Sequence, residues 1–85
     1  MAKCTIRYWA AAKDAAGIAE DAVDARTLEQ ALDAARRLHP DDRFLRVLGV
    51  SSFLIGERPV GRRPHGDIPV TDGTVIEVLP PFAGG

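Results

Sequence analysis

The sequence has one cysteine, Cys4, and two histidines, His39 and His65. A single cysteine excludes an internal disulfide and a cysteine-built zinc cluster. Neither histidine has a partner at metal-ligand spacing, so no metal site is expected. No apolar run approaches the ~18 residues of a membrane span, and the N-terminus lacks an apolar signal core. Neither charge is in excess: 11 Lys and Arg against 12 Asp and Glu leave a formal net charge of −1. That balance is not the basic footprint of a nucleic-acid binder, nor of a segment that seeks anionic membranes. Internal repeats and linkers are lacking too. These absences lead to the expectation of a soluble, cytoplasmic protein that binds neither nucleic acid nor membrane.

What is present is an 85-residue chain, enough for one domain with a thin core, since a chain of this size buries only ~60–65% of its unfolded surface. A deep pocket would consume much of that core. A module of this size is therefore expected to act through its surface or its termini.

Thr5 to Ala10 reads as a strand, with Ile6, Tyr8 and Ala10 on one face, Cys4 continuing that side, and Thr5, Arg7 and Trp9 on the other. Ala11 to Gly17 breaks the alternation, with Gly17 at a turn, and Ile18 to Ala25 reads as an edge strand. Thr27 is a helix N-cap, and Gln30 completes a capping-box pattern. Leu28, Ala31, Leu32, Ala35 and Leu38 then fall at helical spacing as one apolar stripe. Pro40 stops the helix at His39. Asp41 to Leu48 reads as a further short helix that buries Phe44 and Leu48 and ends at Gly49. Ser52 to Ile55 suits a buried strand, Gly56 to Gly66 a turn-rich surface stretch. Thr71-Asp72-Gly73-Thr74 is a strong turn signal before the last strand, Val75 to Leu79.

One main helix and four strands have an economical solution: the helix covers one face of a mixed sheet whose first and last strands lie side by side in the middle. Ile6, Tyr8, Ile76 and Val78 then meet the helix. Trp9, Val75 and Leu79 emerge on the open face, where they form a candidate docking patch.

The chain ends Pro80-Pro81-Phe82-Ala83-Gly84-Gly85. Terminal small residues are often just frayed, but three features here point to use. Gly84 and Gly85 present the carboxylate with no side chain beside it. Pro80-Pro81 stiffens the exit from the last strand. Phe82 adds one apolar anchor. A carboxylate titrating near ~3.5 is ionised at neutral pH and is a poor electrophile. To react, it must first attack the α-phosphate of ATP and become an acyl adenylate.

The strand–strand–helix–strand–strand order, the Thr-Asp-Gly turn and the ending Val78 to Gly85 resemble the small subunit of molybdopterin synthase. The thiamine sulfur carrier shares this pattern, and ubiquitin does so more distantly. Lys13 and Asp14 lie where that family often has a basic–acidic pair. The resemblance implies an α+β, ubiquitin-like β-grasp fold with a mixed four- to five-stranded sheet and one main helix on one face. It implies a domain over residues 1–81 and a flexible diglycine tail over 82–85. It further implies that Gly85 is adenylated and thiocarboxylated by an enzyme related to ubiquitin-activating enzymes, which uses ATP and a sulfur donor. The sulfur then passes to a pyranopterin in the active site of the molybdopterin synthase large subunit, within a heterotetramer. The chain itself would be no enzyme and would bind no cofactor. The alternatives are a carrier for thiamine, cysteine or secondary-metabolite synthesis, a ubiquitin-like protein modifier, and a plain interaction domain. Cys4 reads as a small buried hydrophobe, and Arg58, Arg62, Arg63 and His65 as a solvated basic loop.

Overall fold

The computed structural model describes residues 1–81. Strand β1 spans Ala2–Tyr8, with Cys4, Ile6 and Tyr8 buried in alternation. It therefore begins earlier and ends sooner than the expected Thr5–Ala10. Its start is set by β2 (Glu20–Ala25), which pairs with it antiparallel from Ala2 opposite Ala25 to Arg7 opposite Glu20. Its end is set by Trp9, whose carbonyl accepts from the N–H groups of Ala12 (3.0 Å) and Lys13 (3.3 Å) and so opens a helix. That helix, α1 (Ala10–Ala16), replaces the expected irregular stretch. Five of its seven residues are alanine. Alanine is the best helix former but writes no amphipathic pattern into a sequence. Gly17 closes α1 in the left-handed region at φ 74°, its N–H donating to the Lys13 carbonyl. The edge strand β2 starts at Glu20 rather than Ile18, which is exposed.

Helix α2 (Leu28–Leu38) is capped by Thr27, whose Oγ1 accepts from the Gln30 N–H at 3.2 Å. Gln30 reaches back one residue further than in a capping box, and its Oε1 accepts from the Arg26 N–H at 2.8 Å. Leu28, Ala31, Leu32 and Ala35 are buried, but Leu38, expected as the end of the stripe, is exposed. At 3.6 residues per turn Leu38 lies about 70° from the middle of that stripe. Helix α3 (Asp42–Val50) is capped by Asp41, whose carboxylate accepts from the Phe44 N–H at 2.9 Å. It buries Phe44 and Leu48 as expected and runs through Gly49 instead of ending there.

Strand β3 (Ser52–Ile55) turns through Gly56-Glu57 into a two-residue strand, β4 (Arg58–Pro59), that the sequence does not announce. A 3-10 turn at His65–Asp67 follows. The Thr71–Thr74 turn is tied to β1 from both sides: Lys3 N–H donates to Asp72 Oδ1 at 2.8 Å, and Gly73 N–H to the Lys3 carbonyl at 2.9 Å. Strand β5 (Val75–Leu79) then enters the sheet parallel to β1, Thr5 opposite Val75 through Tyr8 opposite Val78. Its other side pairs antiparallel with β3. The order β2-β1-β5-β3-β4 places the first and last strands together in the interior of the sheet. Ile6, Tyr8, Ile76 and Val78 all lie in the core with the stripe of α2. This is the α+β arrangement that the resemblance implies, with two short helices added.

A polar group is built into that core. The Tyr8 hydroxyl donates to Asp21 Oδ2 at 2.8 Å, and the same oxygen lies 2.6 Å from His39 Nε2, at the C-terminal end of α2. Phe44 meets the Tyr8 ring edge-on at 5.5 Å. One carboxylate oxygen thus links β1, β2 and the end of α2. Cys4, as expected, is buried, its thiol donating to the Val23 carbonyl. Burial, with Asp24 adding, pushes that thiol up from its ordinary 9.0.

Burial, the hydrogen bond to Asp21 and the charge of Asp21 push the Tyr8 phenol well above its ordinary 10.0. The folded protein then keeps a proton that the unfolded chain releases, so this contribution is complete below about pH 10 and is lost as pH rises further. Urea unfolding across pH 8–11.5 is expected to show stability falling above about pH 10, by at most ~1.4 kcal/mol per unit from Tyr8. Tyr8→Phe should remove that contribution, leaving the one of the same sign that Cys4 starts near pH 9.

Candidate functional site

Strand β5 ends at Leu79 because Pro80 and Pro81 have no N–H to offer a ladder. Pro80 is half-buried and Pro81 exposed. The remaining expected tail residues, Phe82, Ala83, Gly84 and Gly85, lie outside the described residues. The root of the tail is nevertheless fixed by its neighbours. On one side Ser52 pairs with Leu79. On the other, Trp9 N–H donates to the Val78 carbonyl at 3.2 Å.

Val75 and Leu79 are half-buried and alternate with the buried Ile76 and Val78, so they share the open face with Glu77. Trp9, expected there as a strand residue, has left the strand and is the N-cap of α1. Its indole still belongs to the open face, because Nε1–H donates to Glu77 Oε1 at 3.1 Å. Trp9 as a whole is 45% exposed. The three expected docking residues therefore meet around a fourth side chain, Glu77, which was not among the expected docking residues. The signal for it was present in the alternation that puts Glu77 between Val75 and Leu79.

Arg7, the register partner of Glu77 on β1, extends toward Glu20 on the opposite side at 3.5 Å. Both groups of that pair are about half exposed, so it adds little stability. A trough of about 360 Å³, open to solvent, runs along this face between Arg7, Val75, Glu77 and the Gly56-Glu57 turn. It offers a contact surface and does not enclose a small substrate. The His39–Asp21 pair, which on its own could suggest acid–base chemistry, is spent on Tyr8 in the core. In the basic loop, Arg63 donates to the carbonyls of Val60 and Pro59, each at 3.1 Å, so it ties the loop to itself. His65 stands edge-on to Phe53 at 5.3 Å. Among the described residues, no three His, Cys, Asp or Glu side chains gather as a metal site, and no helix is long and apolar enough to cross a membrane.

The turn that carries Trp9 is strained. Ala10 has φ +48°, a left-handed conformation that costs a residue with a Cβ ~1–2 kcal/mol. Such strain persists where surrounding contacts over-determine it, and here Trp9 is held through its N–H, its carbonyl and its indole.

Comparison with known proteins agrees with this geometry. The ThiS family model matches residues 6–85. No curated protein matches the sequence directly. Among solved structures, small archaeal modifier protein 1 from Methanosarcina acetivorans superposes with a TM-score of 0.84 at 20% identity, covering 100% of this chain and 98% of that one. Its Haloferax volcanii counterpart gives 0.80 at 23% identity, covering 98% of this chain and 99% of that one. A chain in the complex of subunits 1 and 2 of the Helicobacter pylori molybdopterin-converting factor gives 0.70 at 23% identity, with 98% and 99% covered. At these identities the likeness is one of fold.

The strained turn yields a test of opposite signs. Ala10→Gly is expected to stabilise the protein by ~1 kcal/mol by relieving the left-handed position. Ala11→Gly, one residue later in regular helix, should destabilise it by ~0.5–1 kcal/mol. Urea midpoints of the two variants against wild type check both.

Proposed function

Because the chain belongs to the ThiS family, we propose that it is a sulfur carrier whose Gly85 carboxylate is adenylated, thiocarboxylated and then spent as the small subunit of a molybdopterin synthase, in molybdenum cofactor biosynthesis. The observation that carries this reading is the match of the family model through the diglycine, residues 84 and 85, on a chain whose last strand runs in the interior of the sheet. In the first step a Gly85 carboxylate oxygen attacks the α-phosphorus of ATP and pyrophosphate leaves. In the second a sulfur nucleophile attacks the acyl carbon and AMP leaves. An E1-like adenylating and sulfurating enzyme holds ATP and the sulfur donor, and the large subunit receives the sulfur. This chain supplies a substrate group and a way to present it. Gly84 and Gly85 carry no side chain to obstruct a narrow channel, Pro80-Pro81 stiffens the exit, and Trp9, Val75 and Leu79 dock. No catalytic residue or bound cofactor is required of it, and its place is the cytoplasm.

The molybdenum destination is favoured by the Pro-Pro and Gly-Gly ending, and by likeness to a chain whose solved complex contains subunits 1 and 2 of a molybdopterin-converting factor. The two modifier proteins, at TM-scores of 0.84 and 0.80, favour a second reading: transfer of activated Gly85 to lysine amines of other proteins. Both readings share the adenylation and differ only in the nucleophile that follows.

The protein incubated with ATP, a sulfur donor and an adenylating enzyme is expected to gain the mass of one oxygen-to-sulfur exchange. Deleting Gly84 and Gly85 should abolish the gain and leave the unfolding midpoint unchanged. A wild-type protein that stays unmodified with every adenylating enzyme of its source would count against the carrier. Recovery from cells mainly as isopeptide adducts would favour the modifier.

A further inference from the structure

We infer that Glu77 is a positioning residue, which fixes the Trp9 indole in one orientation at the root of the tail so that a docking partner meets a preformed anchor. The inference rests on the proposed carrier function, since the partner concerned is the large subunit that accepts the tail. Trp9 is the chain's single tryptophan and is 45% exposed. An indole that exposed ordinarily samples several rotamers. Here its backbone is pinned by the N–H bond to Val78 and by the two N–H groups of α1 that its carbonyl accepts. Its far end is pinned by Glu77 Oε1 at 3.1 Å.

The placement of Glu77 is not what sheet stability favours. Glutamate is a poor strand former compared with Ile76 and Val78, which flank it. It sits in the middle of β5, in the interior of the sheet, on the face where an apolar residue would enlarge the patch. Its cross-strand neighbour Arg7 is turned to Glu20, which leaves the Glu77 carboxylate to the indole. Buried aromatic anchors dominate most protein interfaces, and an anchor already immobile in the free protein loses little rotamer freedom on docking. Glu77 thus acts through Trp9, and its effect falls on affinity.

Because Trp9 is the only tryptophan, its fluorescence reports this directly. Wild type, Glu77→Ala and Glu77→Gln are compared by anisotropy decay, by acrylamide quenching and by affinity for a molybdopterin synthase large subunit. Glu77→Ala is expected to enlarge the fast anisotropy component and the quenching, and to weaken binding about three- to tenfold, mainly through faster dissociation. Glu77→Gln, which keeps an acceptor oxygen, should restore both. Thermal midpoints should agree across the three, which a merely structural role would not allow. An unchanged indole mobility or an unchanged affinity in Glu77→Ala overturns the inference. A wild-type protein that binds no large subunit overturns the molybdopterin synthase reading and this inference together, and that failure shows before any variant is made.

Discussion

Parallel strands cannot be joined by a tight turn, so the pairing of β1 with β5 obliges the chain between Trp9 and Thr74 to form a long crossover. That obligation organises the molecule. The crossover carries α2 and α3, and their apolar faces cover one side of the sheet. The opposite side is left open. The same pairing sets Tyr8 beside Val78, and with it the start of α1 beside the end of β5. The tail therefore leaves the domain next to the strained turn that presents Trp9.

The two faces of the central strands divide the work. On the covered face, Ile6, Tyr8, Ile76 and Val78 build the core, and the Tyr8 hydroxyl finds Asp21 and so avoids the cost of an unpaired buried donor. On the open face, Val75, Glu77 and Leu79 surround the point where Trp9 comes down. A domain of this size has a thin core. The end of β5 is held on one side by Ser52 opposite Leu79 and on the other by the Trp9 N–H on the Val78 carbonyl.

Much of this was legible in the sequence. The Thr27 cap, the α2 stripe, Pro40, the Thr71–Thr74 turn and the alternation of β5 each have a local cause, and each reads through. What failed to read has a physical reason in every case. Helix α1 is nearly all alanine, and one buried methyl group at Ala12 leaves no periodic trace. Strand β4 is two residues long and exists only because Gly56 and Glu57 both take positive φ, which glutamate does not advertise. Trp9 lies on the expected face through a different cause: it is a helix cap whose indole reaches that face through Glu77. The Trp9–Glu77 bond joins residues 68 positions apart, and no local pattern encodes it. Gly84 and Gly85 lie within the residues that the family model matches, 6–85.

The most direct test asks whether sulfur ends up on Gly85. In a Cys4→Ala protein no thiol remains, since Cys4 is the only cysteine. After incubation with ATP, a sulfur donor and the adenylating enzyme, that protein is treated with iodoacetamide and its peptides are sequenced by mass spectrometry. A carrier predicts a single alkyl group on the peptide that ends at Gly85, dependent on ATP. Full adenylation with no alkylated C-terminal peptide, or alkylation elsewhere in the chain, would contradict it.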